Sequence, residues 1–257
     1  MLKKQIPNFL TLLNLFFGCL AIMFTFQAGA MASFDAAGDM IVEIPVSIFY
    51  ASLFIGLAAI MDFFDGFAAR WLKVSSEMGL QLDSLADIVS FGVAPACIVF
   101  QFLKLSLAND INALSHNSML LFPAFIIPMA GAYRLARFNI DKQQTTYFKG
   151  VPIPMIGVLT AAFPLVYWQP QSLLFSKLLI SPYFWYGYIL LVSYLMVMKA
   201  PMLALKSLSN KKKLILPLLL VVLETLLSAV FFKWLAIPFA FIGYCLVSLL
   251  YKKTITK

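Results

Sequence analysis

The chain alternates long apolar stretches with short polar gaps. Apolar runs occupy residues 9–30, 47–69, 80–103, 118–136, 151–169, 182–198, 214–232 and 234–251, each to within a few residues. A helix rising about 1.5 Å per residue needs roughly 20 residues to cross a bilayer core. The pattern therefore predicts an all-α integral membrane protein with about eight transmembrane helices. Trp168, Trp185 and Trp234 lie near run ends, where an interfacial aromatic belt would place them.

Composition narrows the class further. Of 257 residues, 62% are hydrophobic and only 12% are charged. Soluble domains carry about 25% charged residues, so a water-soluble protein is excluded, as are disordered and fibrous classes. Three cysteines, Cys19, Cys97 and Cys245, sit singly inside apolar runs and offer neither a disulfide framework nor a metal-ligand spacing. They read as small core residues.

The net charge of +8 is a topology signal. All but three of the 19 lysines and arginines fall at the two termini or in alternate gaps, the exceptions being Lys104, Lys177 and Lys233. By the positive-inside rule the rich side is cytoplasmic, with both termini on it, as an even number of spans requires. The loop carrying Asp35, Asp39 and Glu43 falls outside. Lys211 to Lys213 read as a topology anchor. Ala28-Gly29-Ala30 has the look of a signal-peptidase site, but the length of the first apolar run favours an uncleaved span. No internal repeat is visible, and no nucleic-acid partner is expected.

Few charges make their placement informative. Four of the 11 acidic residues cluster where span two ends and span three begins. Asp62, Asp65, Gly66, Ala69 and Arg70 recur at helical spacing on one face, as do Gly79, Asp83 and Asp87. A short polar turn, Lys73 to Glu77, joins the two helices, so the acidic faces can meet. Asp62 would lie roughly 12 Å below the span end at 1.5 Å per residue. Four carboxylates facing one another at that depth must protonate or be neutralised by cations. Two divalent cations would balance them, and an all-oxygen ligand set favours Mg²⁺, Mn²⁺ or Ca²⁺ over Zn²⁺. Gly66 and Gly79 would leave room for a ligand against the backbone, and Arg70 at the mouth suits a phosphate. Residue chemistry alone thus points to a two-metal site for a phosphorylated, lipid-soluble substrate. A packed ion-pair cluster would not leave four carboxylates with one nearby arginine. A cation transporter would more often place its site at the midplane between repeated halves.

The pattern D-x-x-D-G-x-x-A-R, eight residues, then G-x-x-x-D-x-x-x-D spans residues 62–87. It resembles the signature of the CDP-alcohol phosphatidyltransferase family at all eight fixed positions. Further stretches are similar to the phosphatidylserine synthase branch: Ile6 to Leu15, Asp83 to Ala96, Arg134-Leu135-Ala136-Arg137-Phe138-Asn139 and Gly150-Val151-Pro152-Ile153-Pro154. Phosphatidylglycerolphosphate synthases resemble the first of these too, but typically carry arginine where this chain has Asn14.

The resemblance implies a six-helix catalytic membrane core at residues 1–206, a homodimer, and transfer of a phosphatidyl group from a CDP-linked lipid to an alcohol. Residues 207–257 are then an additional two-helix hairpin. The branch implies CDP-diacylglycerol and L-serine as substrates and the cell membrane as the location, with the site toward the cytoplasm. Glycerol 3-phosphate or inositol phosphate are the alternative acceptors. The family pattern makes Asp62, Asp65, Asp83 and Asp87 the ligands of two divalent cations (Mg²⁺ or Mn²⁺), and Asp87 also the general base. Gly66, Arg70 and Gly79 would contact the CDP moiety. Asn14 would contact the nucleotide or bond to a neighbouring helix. Arg134 and Arg137, at i and i+3, would take phosphate and the serine carboxylate with help from Asn139, unless they only anchor the span end. Lys206 is a further candidate. Glu224 in span seven reads as structural, bonded to Thr225, Ser228 or a partner helix. His116 reads as a solvated loop residue.

Overall fold

A computed structural model describes residues 2–27, 31–34, 40–43, 45–74, 76–108, 118–141, 148–169, 173–203 and 215–251. Asp35, Asp39, His116, Lys206 and Lys211 to Lys213 lie outside these residues. The first four predicted spans are helices long and apolar enough to cross a bilayer: Gln5–Phe26, Val46–Trp71, Glu77–Leu107 and Ser118–Ile140. The fifth and sixth are shorter apolar helices, Ile153–Tyr167 and Pro182–Val197. Leu219–Leu250 supplies the last apolar stretch. The protein is a multi-pass membrane protein.

In chain order the helices are α1 (Leu2–Phe26), α2 (Val46–Trp71), α3 (Glu77–Asp87), α4 (Ala94–Ala108), α5 (Ile126–Ile140), α6 (Ile153–Tyr167), α7 (Leu173–Leu179), α8 (Pro182–Val197), α9 (Ile215–Phe232) and α10 (Ala236–Leu250). A π-helical segment, Ile88–Val93, joins α3 to α4, and a 3₁₀ segment, Ser118–Phe125, leads into α5. Two small antiparallel ladders were not expected from the apolar pattern. In one, β1 (Met31–Phe34) pairs with β2 (Met40–Glu43) in the gap between α1 and α2. In the other, β3 (Phe148–Lys149) pairs with β4 (Pro201–Met202). Backbone polar groups between helices need partners, and these ladders supply them.

The helix of span three is the axis of the fold. Its apolar stretch is 72% buried, against 17–39% for the other four crossing helices. Phe91, Ile98, Phe102 and Leu103 along it are at most 1% exposed. The outer helices instead turn large side chains such as Phe9, Phe63, Met129 and Leu190 outward, as lipid-facing surfaces require. Around the π segment the backbones come very close. A Cβ on Gly18 of α1 would stand 2.8 Å from the Ser90 Cα, and one on Gly157 of α6 would stand 2.9 Å from the Phe91 Cα. Small residues at such contacts let helices approach without a side chain between them.

Trp185 departs from the belt expected of it. It is fully buried, donates from Nε1 to the Leu179 carbonyl at 2.7 Å, and sits among Phe102, Phe163, Phe184 and Tyr188. Its position near a run end is met by α7 folding over it, which makes that end an interior site. Trp168 and Trp234 are about as exposed as a belt residue would be, at 43% and 42%.

The last two spans form a hairpin. Lys233, with φ 49°, breaks the helical run between α9 and α10. The Glu224 carboxylate of α9 then lies against Gly243 of α10. Thr225 and Ser228 bond back to their own helix, to the carbonyls of Val221 and Thr225, rather than to Glu224.

Valine at Gly157 would force α6 away from Phe91. Overpacking of this kind costs about 1–3 kcal/mol. Gly157→Val is expected to lower the unfolding temperature of the detergent-solubilised protein by several degrees. Gly56→Ala, where a Cβ meets nothing within 4 Å, is expected to leave it unchanged or raise it.

Candidate active site

The site is made where α2 ends and α3 begins. Lys73 adopts φ 52°, and the amides of Leu72, Lys73 and Val74 close back on the carbonyls of Ala68, Arg70 and Ala69. This left-handed stop ends α2 as a C-terminal glycine would. Ser76 then caps α3, accepting from the Gly79 amide at 2.9 Å. The polar turn expected between the two acidic faces therefore forms, and the faces meet.

Carboxylate oxygens of Asp62, Asp83 and Asp87 all lie within 4.8 Å of one another. Asp65 and Asp87 are each 6% exposed, and Asp62 and Asp83 are half-buried. The first helix supplies donors from the other side. Thr11 Oγ1 donates to Asp65 Oδ2 at 2.7 Å, and Asn14 Nδ2 donates to Asp87 Oδ1 at 3.5 Å. Asn14 is fully buried, and its Oδ1 has no hydrogen-bond partner. Ser90, in the π segment one turn beyond Asp87, donates to the Asn14 carbonyl at 3.0 Å. Asn14 is thereby held from two sides of the same helix.

Beside the carboxylates is a cavity of ≈ 220 Å³. Asn8, Thr11, Asp65, Gly66, Gly79 and Asp83 line it. The two glycines are where the space opens. The Arg70 guanidinium folds over Gly66, 3.6 Å from where a Cβ would stand, and Asn8 Oδ1 lies 3.1 Å from the same point at Gly79. Arg70 is exposed, at the mouth. Asn14 does not line this cavity but sits at Asp87.

The cluster suits divalent cations. Oxygens on opposite sides of a bound Mg²⁺ or Ca²⁺ stand about 4–5 Å apart, and the oxygens of these three carboxylates, all within 4.8 Å of one another, are close enough to share such an ion. The donor set is all hard oxygen, and an uncompensated concentration of negative charge inside a protein is strongly unfavourable. Asp62, Asp83 and Asp87 are the carboxylates whose oxygens converge, while Asp65, expected with them, lies outside that group and accepts from Thr11.

The basic residues of α5 divide. Arg134 is buried, at 4% exposure, and within electrostatic reach of Asp87. Arg137 turns to the backbone instead. Its guanidinium donates to the carbonyls of Val197 at 2.8 Å, Lys149 at 3.1 Å and Met198 at 3.4 Å. It thus ties the end of α8 to β3. Asn139 Nδ2 donates to Ser84 Oγ at 2.9 Å, linking α5 to α3 one turn before Asp87. Sequence reasoning did not single out Ser84 or Ser90. Both stand three residues from an aspartate of the acidic face, and that spacing was the available signal.

Residues 4–204 match the family model for CDP-alcohol phosphatidyltransferases. The chain is 36% identical over 123 residues to a CDP-diacylglycerol–serine O-phosphatidyltransferase of Bacillus subtilis, covering 47% of this chain and 63% of that protein. It is 33% identical over 187 residues to the protein of the same name in Saccharomyces cerevisiae, covering 69% and 59%. With that of Methanocaldococcus jannaschii it shares 34% over 158 residues, covering 62% and 59%. The chain spans less than two thirds of the length of each of these relatives.

A cation test follows from the carboxylate geometry. In chelator, Asp62→Asn is expected to unfold at or above the temperature of the unsubstituted protein, because one converging negative charge is gone. Added Mn²⁺ should raise the unfolding temperature of the unsubstituted protein by several degrees and that of the variant by little. Equal stabilisation of both by Mn²⁺ would rule out the cluster as the cation site.

Proposed function

The chain belongs to the CDP-alcohol phosphatidyltransferase family, and from that premise we propose that it transfers the phosphatidyl group of CDP-diacylglycerol to the hydroxyl of L-serine, giving phosphatidylserine and CMP. The observation that carries this reading is the convergence of Asp62, Asp83 and Asp87 from two helices to within 4.8 Å, beside a ligand-sized cavity. The choice of serine rests on the names of the similar proteins and on the motifs at 83–96 and 134–154. In this reading the protein works as a homodimer in the cell membrane, with the site toward the cytoplasm. The concentration of basic residues on that side supports the orientation.

Two divalent cations, held by Asp62, Asp65, Asp83 and Asp87, would neutralise the diphosphate and stabilise the charge that develops as the bond to CMP breaks. The residues of the chain do the rest. Gly66 and Gly79 leave the backbone open to the CDP moiety, and Arg70 closes over it at the mouth. Thr11 and Asn14 hold Asp65 and Asp87 in fixed rotamers. Arg134 receives the serine carboxylate. Asp87 accepts the hydroxyl proton as the serine oxygen bonds to the lipid-bearing phosphorus. The phosphorus–oxygen bond to CMP breaks in the same displacement, and CMP leaves as a phosphate monoester. The diacyl tails stay in the bilayer throughout, because the carboxylates lie less than a helix length from the end of α2. Arg137 and Asn139 act here by holding α5 against α8, β3 and α3.

Purified protein supplied with CDP-diacylglycerol and Mg²⁺ or Mn²⁺ is expected to release CMP when serine is added, and to do so far more slowly with glycerol 3-phosphate or inositol phosphate. Release with either of those and none with serine would overturn the acceptor assignment. Loss of a general base typically costs about 10²- to 10⁴-fold in rate. Asp87→Asn is expected to show such a loss in kcat with an unchanged elution profile in detergent; full turnover would remove Asp87 from that role.

A further inference from the structure

Asn14 of α1 carries a buried acceptor that meets no donor. The residue is fully buried, and its Oδ1 has no hydrogen-bond partner among the described residues. The other end of the amide is engaged, with Nδ2 donating to Asp87 Oδ1 at 3.5 Å. An ionised carboxylate only accepts, so the amide turns its NH₂ to Asp87 and keeps its oxygen unused. One turn earlier on the same helix Thr11 has no such surplus. Its Oγ1 lies 2.7 Å from Asp65 Oδ2 and 3.0 Å from the Pro7 carbonyl. The backbone that carries Asn14 is also fixed. Ser90 Oγ donates to its carbonyl at 3.0 Å, and a Cβ on Gly18, one turn on, would stand 2.8 Å from the Ser90 Cα. Buried polar groups are nearly always paired, because an unmade hydrogen bond inside a protein costs stability. An acceptor held this firmly beside the proposed base is built for a donor that the substrate brings.

We propose that Asn14 Oδ1 receives the ammonium group of the acceptor and so selects serine over hydroxy compounds that lack an amine. The proposal rests on the serine reading above, in which Asp87 takes the hydroxyl proton. In L-serine two carbon atoms separate the hydroxyl from the ammonium. When the hydroxyl meets Asp87, the ammonium is therefore within reach of the side chains that touch Asp87. Asp87 is occupied with the hydroxyl, which leaves its neighbour Asn14 for the ammonium. A carboxylate at position 14 would add one more negative charge to the cluster and compete for its cations. A neutral amide oxygen accepts from N–H⁺ in a charge-assisted hydrogen bond and adds no charge of its own.

The test compares two acceptors on the full chain in detergent micelles containing CDP-diacylglycerol and Mn²⁺. 3-Hydroxypropionate is serine with hydrogen in place of the amino group. Its affinity is read as an inhibition constant against serine, whether or not it is itself turned over. In the unsubstituted protein it is expected to bind roughly tenfold or more weakly than serine, the worth of one hydrogen bond to a charged group. Asn14→Leu fills the same space and Asn14→Ala empties it. Each should raise the KM for serine by about that factor and leave the constant for 3-hydroxypropionate unchanged, so that the preference disappears. The kcat falls as well, because Asp87 loses its donor. Thr11→Val disturbs the cluster without touching Asn14 and should keep the preference. Where a variant does not turn over, both affinities are read from the rise in unfolding temperature that each compound gives with CMP and Mn²⁺ present. A preference for serine that survives in both Asn14 variants overturns the proposal, since Asn14 then only orients Asp87. Its equal loss in Thr11→Val, or its absence from the unsubstituted protein, does the same. Turnover of glycerol 3-phosphate and none of serine by the unsubstituted protein marks failure of the serine reading itself, before any variant is made, and the proposal falls with it.

Discussion

Like charges can be gathered in a low-dielectric interior only if the scaffold carrying them cannot relax apart. Everything around the four carboxylates answers to that constraint. Repulsion among Asp62, Asp65, Asp83 and Asp87 pushes α2 away from α3, and the turn through Lys73 and Ser76 holds the two together at one end. Behind α3, the central helix is clasped by α1 and α6 at contacts so close that Gly18 and Gly157 admit no side chain. Thr11 and Asn14 come from α1, the element pressed hardest against α2, and give their hydrogen atoms to the two most buried carboxylates. Packing from behind and donors from the side let the acids converge on an opening rather than scatter from one another.

Much of this was legible in the sequence. The long apolar runs gave the first four helices, because a crossing helix is a matter of length and hydropathy. The acidic faces were legible because helical spacing alone puts Asp62 with Asp65 and Asp83 with Asp87, and a polar turn of few residues leaves two helices no choice but to run antiparallel. The cavity at Gly66 and Gly79 followed from the same periodicity. What stayed hidden depends on contacts between distant segments. Nothing local distinguishes Trp185, enclosed by α7, from Trp168 at a true helix end. Arg137 had the spacing of a partner to Arg134, but the carbonyls that engage it belong to residues 149, 197 and 198, whose approach no periodicity announces. The two ladders were missed because each is too short to leave a pattern.

The short return segments have more structural weight than their length suggests. Gly150 has φ 79°, and a side chain there would strike the carbonyls of Met196 and Met198. Its amide bonds to Ala200 and that of Val151 to Leu195. The ends of α5, α6 and α8 therefore meet in one small knot of backbone. Arg137 ties that knot, and α10 rests on it through Leu203. A hairpin outside the family-matched residues is thereby joined to the ends of three helices that lie within them.

The π-helical segment Ile88–Val93 separates two tasks along one helix. Above it α3 presents acids, and below it α4 is buried nearly all round. A wide turn takes more residues per revolution than the α-helix on either side, so it sets the two halves at a rotational offset that an uninterrupted helix would not have. Each residue of an α-helix turns the chain by about 100°. Removing a single residue between Asp87 and Ala94 would thus swing Asp83 and Asp87 about a quarter-turn away from Asp62 while leaving the buried half in place. The number of residues in that turn is a phase setting for the acidic face, and an insertion or deletion there would turn that face even though no side chain within it carries a charge.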